Sequence, residues 1–212
     1  GYEYFLLTLL YEDVPIVLQP SDQPEGFSLP ASSASQVYEQ VIADLLLAEQ
    51  LLPETQSEAG RIVKKAATAM LAKVYLFGAD ELNKSEWYGL AEQKAKEVIN
   101  SGEFELINDP SKSAAQNLIQ LFANDNTSED IFSVQHYSSG GWSNGNVAGQ
   151  FPMAINPRYN RGKNLWGFGW MYHYEAIDKL WDDEDSRKRV TLFFDGDSVV
   201  TVSGVFKGTY GT

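Results

Sequence analysis

The chain has 212 residues, and 16 Lys and Arg stand against 29 Asp and Glu, which gives a formal net charge of −13 at pH 7. This balance excludes the basic stripe of a general nucleic-acid binder and the polybasic charge that holds a protein to an anionic leaflet. The absence of Cys excludes disulfides and thiolate chemistry, and the longest apolar run, residues 4–11, is far shorter than the ~20 residues of a membrane-spanning helix.

Apolar periodicity predicts two helices near the start of the chain. Residues 4–11 read as the end of a buried helix that Pro15 closes, since Pro disfavours helix at the residue before it. A loop rich in Pro and Ser follows. Apolar residues at helical spacing over 37–52 then predict a second helix, with Ser35 as its N-cap and Pro53 after its end.

Two further helices are predicted as a hairpin. Apolar residues recur at helical spacing over 62–77 and 87–99, and the alanines of both stretches allow the two helices to approach closely. Gly102 follows the second stretch and provides a left-handed cap.

A short pattern occurs twice in these helices. Leu7-Thr8-x-x-Tyr11 and Leu71-Ala72-x-x-Tyr75 share the order Leu, small residue, Tyr, and each leads through a loop into a second amphipathic helix. This is the skeleton of a tetratricopeptide helix pair. The spacing is below two full repeat lengths, so the pattern predicts two degenerate repeats. A helical hairpin without repeat ancestry is the alternative.

The second half of the chain changes character. Segments 104–107 and 129–137 read as extended, 114–122 as a short helix, and 199–202 and 204–206 as β-like. The last segments lack a strand to cover them, and residue 1 reads as falling inside an element. We therefore expect that both ends of the chain are cut.

Residues 138–170 form the least regular stretch. They have almost no periodicity, are rich in Gly and Asn, and contain three of the five tryptophans. Long irregular loops in compact domains usually carry function. Trp142 has only Gly and small polar neighbours along the chain, which favours exposure. Packing of these aromatic side chains against the helical body is the alternative.

Catalytic and metal-binding patterns are weak. A glycosidase needs two carboxylates across a cleft, whereas the acidic residues cluster at 182–185 beside Arg187, as in a solvated face or a helix cap. His136 and His173 have no triad or metal spacing. The run 124–129 is rich in oxygen ligands, so calcium binding is an alternative. It is a minor one, because the run lacks the EF-hand pattern. No enzyme, cofactor or metal site is predicted.

A set of short motifs runs in order along nearly the whole chain. It begins with Tyr4-Phe5-x-Leu7, Tyr11-x-Asp13-Val14-Pro15, Asp44-Leu45-x-x-Ala48 with Leu52-Pro53, and Gly60-Arg61 through Leu71-Ala72-Lys73-Val74-Tyr75-Leu76. It continues with Val98-Ile99, Ser101-Gly102, Leu121-Phe122, Glu129-x-Ile131-Phe132 and Asp185-x-Arg187. In this order the motifs resemble the SusD/RagB family.

The resemblance implies a mainly α fold of degenerate tetratricopeptide-type helix pairs, with a long irregular loop region and a few short strands. Helix pairs are expected over 1–102, including the loop 12–35, and a loop-rich ligand-binding region, truncated at its C-terminus, over 103–212. The implied function is non-catalytic binding of oligo- or polysaccharide at the cell surface and delivery to a SusC-like TonB-dependent transporter in the outer membrane.

The family is anchored through a lipidated N-terminal Cys, which this chain does not contain. Membrane attachment is therefore expected only through an anchor outside this chain. A RagB-like subunit that binds peptide or protein, or a helical-repeat interaction module, is the alternative function.

Glycan binding fits the composition of the loop region. Sugar rings stack their apolar faces on Trp and Tyr, while their hydroxyls pair with amide and guanidinium groups. The predicted glycan-binding residues are Trp142, Asn144, Arg158, Tyr159 and Trp166.

Overall fold

The computed structural model describes residues 1–19, 28–135, 179–191, 198–201 and 204–207. The chain divides into two compact units. The first consists of residues 1–106 and 126–133, and the second of residues 107–125 and 134–212.

Helices dominate the described residues. The first unit contains α1 (Tyr2–Tyr11), α2 (Ala34–Leu51), α3 (Lys64–Glu81) and α4 (Trp87–Ile99). The second contains α5 (Ala114–Ala123), α6 (Ser186–Thr191) and an antiparallel hairpin of β1 (Ser198–Thr201) and β2 (Gly204–Lys207). The predicted mainly α fold with a few short strands is confirmed. No helix in these described ranges is long and apolar enough to cross a bilayer.

The start of α2 is a capping box. The Ser33 hydroxyl accepts a hydrogen bond from the Gln36 amide at 3.4 Å, and the Gln36 side chain accepts one from the Ser33 amide at 3.0 Å. Two amide donors at the helix start are satisfied in this way. The N-cap is therefore Ser33. The prediction of Ser35 was wrong, because it ignored the reciprocal partner at Gln36.

The core of the first unit is an aromatic cluster to which four helices contribute. The Tyr38 ring of α2 lies 6.1 Å from Phe5 of α1 and 6.3 Å from Trp87 of α4. Trp87 lies 5.6 Å from Tyr75 of α3. Gly78 of α3 makes room for the indole, since a Cβ at this position would lie 2.6 Å from Trp87 Cζ3. The cluster joins the two helix pairs.

The repeated Leu-small-x-x-Tyr pattern does not occupy equivalent packing positions. In α3, Leu71 and Tyr75 are buried, with 0% and 8% of their surface exposed. In α1, Leu7 and Tyr11 are 39% and 67% exposed, and Phe5 is the large buried side chain. The helix pairs exist, but the pattern marks the core in only one of them.

The described part of the predicted strand 129–137 is irregular. The Asp130 carboxylate accepts hydrogen bonds from the amide of Thr127 at 2.6 Å and from its hydroxyl at 2.9 Å. Such local side-chain bonds compete with a strand ladder. A single backbone bond from the Glu105 amide to the Ser128 carbonyl, at 3.1 Å, joins this stretch to an earlier segment. The strand prediction was wrong for the described residues.

Candidate functional site

The predicted glycan-binding residues lie outside the described residues. This holds for Trp142, Asn144, Arg158, Tyr159 and Trp166. The two histidines, His136 and His173, lie outside them as well. The assignment of these side chains to a site stays a prediction.

The first unit contains an open cleft of about 210 Å³. One wall is the loop of residues 56–63, which leads into α3, and the other is the segment 126–133. Apolar side chains, among them Phe104 and Ile131, line it together with polar side chains. Apolar surface beside polar groups is the usual composition of a small-molecule site.

The wall that leads into α3 is held by its own hydrogen bonds. The Gln56 side-chain amide donates to the Ile62 carbonyl at 3.1 Å. Arg61 Nε pairs with Glu58 Oε2 at 2.7 Å. Gly60 has a φ of 79°, in the left-handed region that only glycine adopts without cost. Contacts within residues 56–63 therefore hold the conformation of this loop before α3 begins.

The facing wall is organised around Asp130. Its carboxylate accepts the two bonds from Thr127 and a longer one, 3.3 Å, from the Ser133 hydroxyl. The bond from the Thr127 amide, followed by that from its hydroxyl, holds the pKa of Asp130 below its ordinary value. Asp130 is therefore ionised at neutral pH. The Phe132 ring meets the Tyr2 ring edge-on at 5.1 Å, which ties this wall to α1.

The charged groups of the cleft are of both signs. Glu58, Arg61 and Asp130 line it. The Arg61 side chain is 63% exposed, and beyond Glu58 it makes no other bond from its guanidinium to the described residues. Its terminal nitrogens are therefore available as donors at the cleft. The arrangement suits recognition of a small polar molecule.

A second polar cluster joins three helices and serves stability. Lys94 of α4 lies 2.8 Å from Glu49 of α2 and 3.1 Å from Glu97, and the Thr68 hydroxyl of α3 donates to Glu49 at 2.6 Å. Burial works to lower the pKa of Lys94, but the hydrogen bonds to Glu49 and Glu97 outweigh it, so this pKa is raised. The charges of the cluster are paired with one another.

The acidic residues at 182–185 bond to neighbouring residues of the same segment. Asp185 accepts a hydrogen bond from the Arg187 amide at 2.9 Å and pairs with its guanidinium at 2.6 Å. Lys188 pairs with Asp183 at 2.7 Å. These contacts cap the start of α6, in agreement with the prediction of a cap or a solvated face. Within the described ranges, no group of three or more acidic or His residues is placed to hold a metal ion.

Sequence reasoning did not find the cleft. The two walls were visible as separate features, the loop before the third helix and the oxygen-rich run that includes Asn126 and Thr127. The two walls come together only because residues 126–133 pack with residues 1–106, and hydrophobic periodicity does not predict this contact.

Comparison of the sequence with known proteins finds related sequences. A family profile, SusD-like_3, described as "Starch-binding associating with outer membrane", matches residues 1–76. SusD-like protein P2 of Formosa agariphila is 28% identical over 199 residues, which cover 91% of this chain and 36% of that protein. The chain thus spans little more than a third of this curated relative.

Solved structures share the fold. A SusD-like protein from Bacteroides fragilis matches 97% of this chain and 44% of its own, with a TM-score of 0.74 and 20% identity. A laminarin-binding SusD-like protein matches 99% of this chain and 46% of its own, with a TM-score of 0.68 and 21% identity. At these identities the likeness establishes the fold.

Proposed function

We propose that the chain is a member of the SusD/RagB family and part of a protein that binds glycans at the surface of the outer membrane. The observation that carries the proposal is the match of residues 1–76 to a profile described by starch binding and outer-membrane association. The name of the laminarin-binding relative supports the same class of ligand.

The proposed role is capture and delivery without chemical change. SusD-like proteins are non-catalytic binders. We propose that the captured oligo- or polysaccharide passes to a SusC-like TonB-dependent transporter, and that a lipid anchor outside this chain holds the protein at the membrane. The profile description, which names association with the outer membrane, supports this location, and the proposed family membership supports this partner.

We assign glycan contact to the loop-rich region 103–212 and a supporting role to the helix pairs of 1–102. Trp142, Tyr159 and Trp166 would stack on sugar rings, because their faces match the apolar C–H faces of a pyranose. Asn144 and Arg158 would pair with hydroxyls.

Replacement of the loop tryptophans tests the assignment. Trp142→Ala and Trp166→Ala are each expected to weaken glycan binding by about 1–3 kcal/mol without loss of fold, the size of a stacking anchor. Native affinity electrophoresis through gels carrying plant, host and microbial polysaccharides measures the effect. Trp181→Ala is the matched control, since Trp181 does not belong to the irregular stretch 138–170 of the sequence and its ring has the Arg187 guanidinium 5.6 Å away.

Two outcomes contradict the proposal in different ways. If both loop variants are retarded like the parent, the site assignment is wrong. If the folded parent is retarded by no polysaccharide but binds peptides, the ligand is a peptide or protein, as in the RagB-like alternative.

A further inference from the structure

We propose that the open cleft of the first unit is a second carbohydrate subsite that holds one neutral sugar ring. The proposal rests on the glycan-binding function proposed above. It adds a site made by residues 56–63, Phe104 and 126–133, none of which belongs to the predicted set at 142–166.

The size of the cleft limits its ligand. Its volume of about 210 Å³ is below the roughly 300–1,000 Å³ of pockets that bind drug-sized molecules. One pyranose ring with its hydroxyls is a ligand of this smaller class. The cleft is open, so the remainder of an oligosaccharide can continue into solvent.

The lining offers both surfaces that a sugar presents. Phe104, Ile62 and Ile131 provide apolar surface for the C–H face of the ring. A carboxylate has about four acceptor sites. Among the described residues, Thr127 and Ser133 make three bonds to Asp130, which leaves one such site for a sugar hydroxyl.

Arg61 completes the polar side of the cleft. Its Nε pairs with Glu58 at 2.7 Å, and within the described part of the chain its terminal nitrogens remain as donors to the oxygens of a sugar. Each sugar hydroxyl can donate one hydrogen bond and accept others. In this cleft the Asp130 carboxylate can accept from one hydroxyl while the Arg61 guanidinium donates to its neighbour.

The charges favour a neutral ligand over an acidic one. Among the described lining residues, Glu58 and Asp130 outnumber Arg61, and the whole chain carries a net charge of −13. A uronic acid or a phosphate would meet net repulsion. Both walls are already held by internal hydrogen bonds, so a bound ring does not have to order them.

The test compares hydrogen–deuterium exchange of the intact protein with and without glucose, maltotriose, laminaritriose or a xyloglucan oligosaccharide. We expect at least one of these probes to slow exchange in peptides covering 56–63 and 126–133. Ala59→Trp places an indole at the cleft and removes none of its hydrogen bonds. It is expected to abolish this protection and to raise the Kd by about tenfold, while protection over 142–166 persists.

Two further variants separate binding from folding. Arg61→Ala removes the guanidinium, and its ion pair with Glu58 has both side chains at least 63% exposed, so the fold is expected to remain. It should weaken binding several-fold. Lys96→Ala removes an equally exposed ion pair, with Glu92 on α4, and should leave binding unchanged.

Each remaining outcome overturns the proposal. Protection over 142–166 with unchanged exchange at both cleft walls rejects the subsite and leaves the proposed function standing. No protection anywhere by any probe rejects both. Protection of the cleft by a mixed tripeptide pool, and by none of the saccharides, replaces the sugar with a peptide.

Discussion

The bare Cα of Gly78 lies against the indole of Trp87 in the core of the first unit. A Cβ at this position would lie 2.6 Å from one indole carbon and 3.0 Å from Tyr38 Cδ1. Both rings are fixed by other aromatic neighbours, so neither has an easy way to move. Close packing at one residue thus sets how near α3 and α4 come to each other.

Two glycine substitutions separate this packing effect from helix propensity. Gly78→Ala is expected to lower the free energy of unfolding by about 1–3 kcal/mol, the range for overpacking a core. A Cβ at Gly89 on α4 would have no atom of the described residues within 4 Å, so Gly89→Ala is expected to raise the free energy of unfolding by up to about 1 kcal/mol. Urea denaturation of both variants measures the difference, and equal effects would contradict the packing argument.

Sequence reasoning at the residue scale succeeded where local chemistry is decisive. Gly102 follows α4 with a φ of 68°, as its left-handed role predicts. It failed where two serines compete, because Ser33 and Ser35 both precede the apolar face of α2. Gln36 decides between them, since only Ser33 lies at the spacing of a capping box.

At the scale of elements, hydrogen bonds between side chains fasten the helices to each other. The Tyr38 hydroxyl of α2 donates to Glu81 of α3 at 2.7 Å. Burial and this bond raise the pKa of Tyr38 well above its ordinary value, and burial raises the pKa of Tyr75. Both tyrosines are therefore held neutral in the folded protein.

Alkaline pH is expected to lower the free energy of unfolding of the first unit. Below pH ~10 the tyrosines are protonated in both states, and their stabilisation is fully present. Above it, the unfolded chain loses protons that folded Tyr38 and Tyr75 keep, so the free energy of unfolding falls as pH rises. Chemical denaturation at a series of pH values measures this. Tyr38→Phe should reduce the slope above pH ~10, and an unchanged slope would contradict the assignment to Tyr38.

Periodicity predicted the helices of the first unit because each buries one face. The same reasoning failed for 129–137, whose alternation of apolar and polar residues resembles a strand. There the Asp130 carboxylate accepts a hydrogen bond from the Thr127 amide, and this local bond replaces the ladder bonds that a strand would need. It failed again for Leu7 and Tyr11, since the sequence alone does not show which face of a short apolar helix is turned inward.

At the scale of the molecule, the first unit is discontinuous in sequence. Residues 126–133 return to residues 1–106, where Phe132 meets Tyr2 and Ser128 pairs with Glu105. The sequence contains the helices of this unit but no local sign of the returning segment. For the same reason the cleft, which needs both walls, was not predictable.

Truncation tests the contribution of the returning segment. A chain of residues 1–106 is expected to melt at least about 4 °C below a chain of residues 1–133, the shift that a loss of about 1 kcal/mol produces in a domain of this size. Circular dichroism of the helical signal measures both midpoints. Equal midpoints would show that the segment adds nothing to the stability of the helices.

Because the first unit includes residues 126–133, its parts are synthesised at different times. The ribosome finishes residues 1–106 before residues 126–133 are made, so Tyr2 lacks its aromatic partner Phe132 while the chain between is synthesised. At about 5–20 residues per second, that wait is on the order of seconds. Every newly made molecule passes through this interval with an unfinished apolar surface, and chaperones have that long to recognise it.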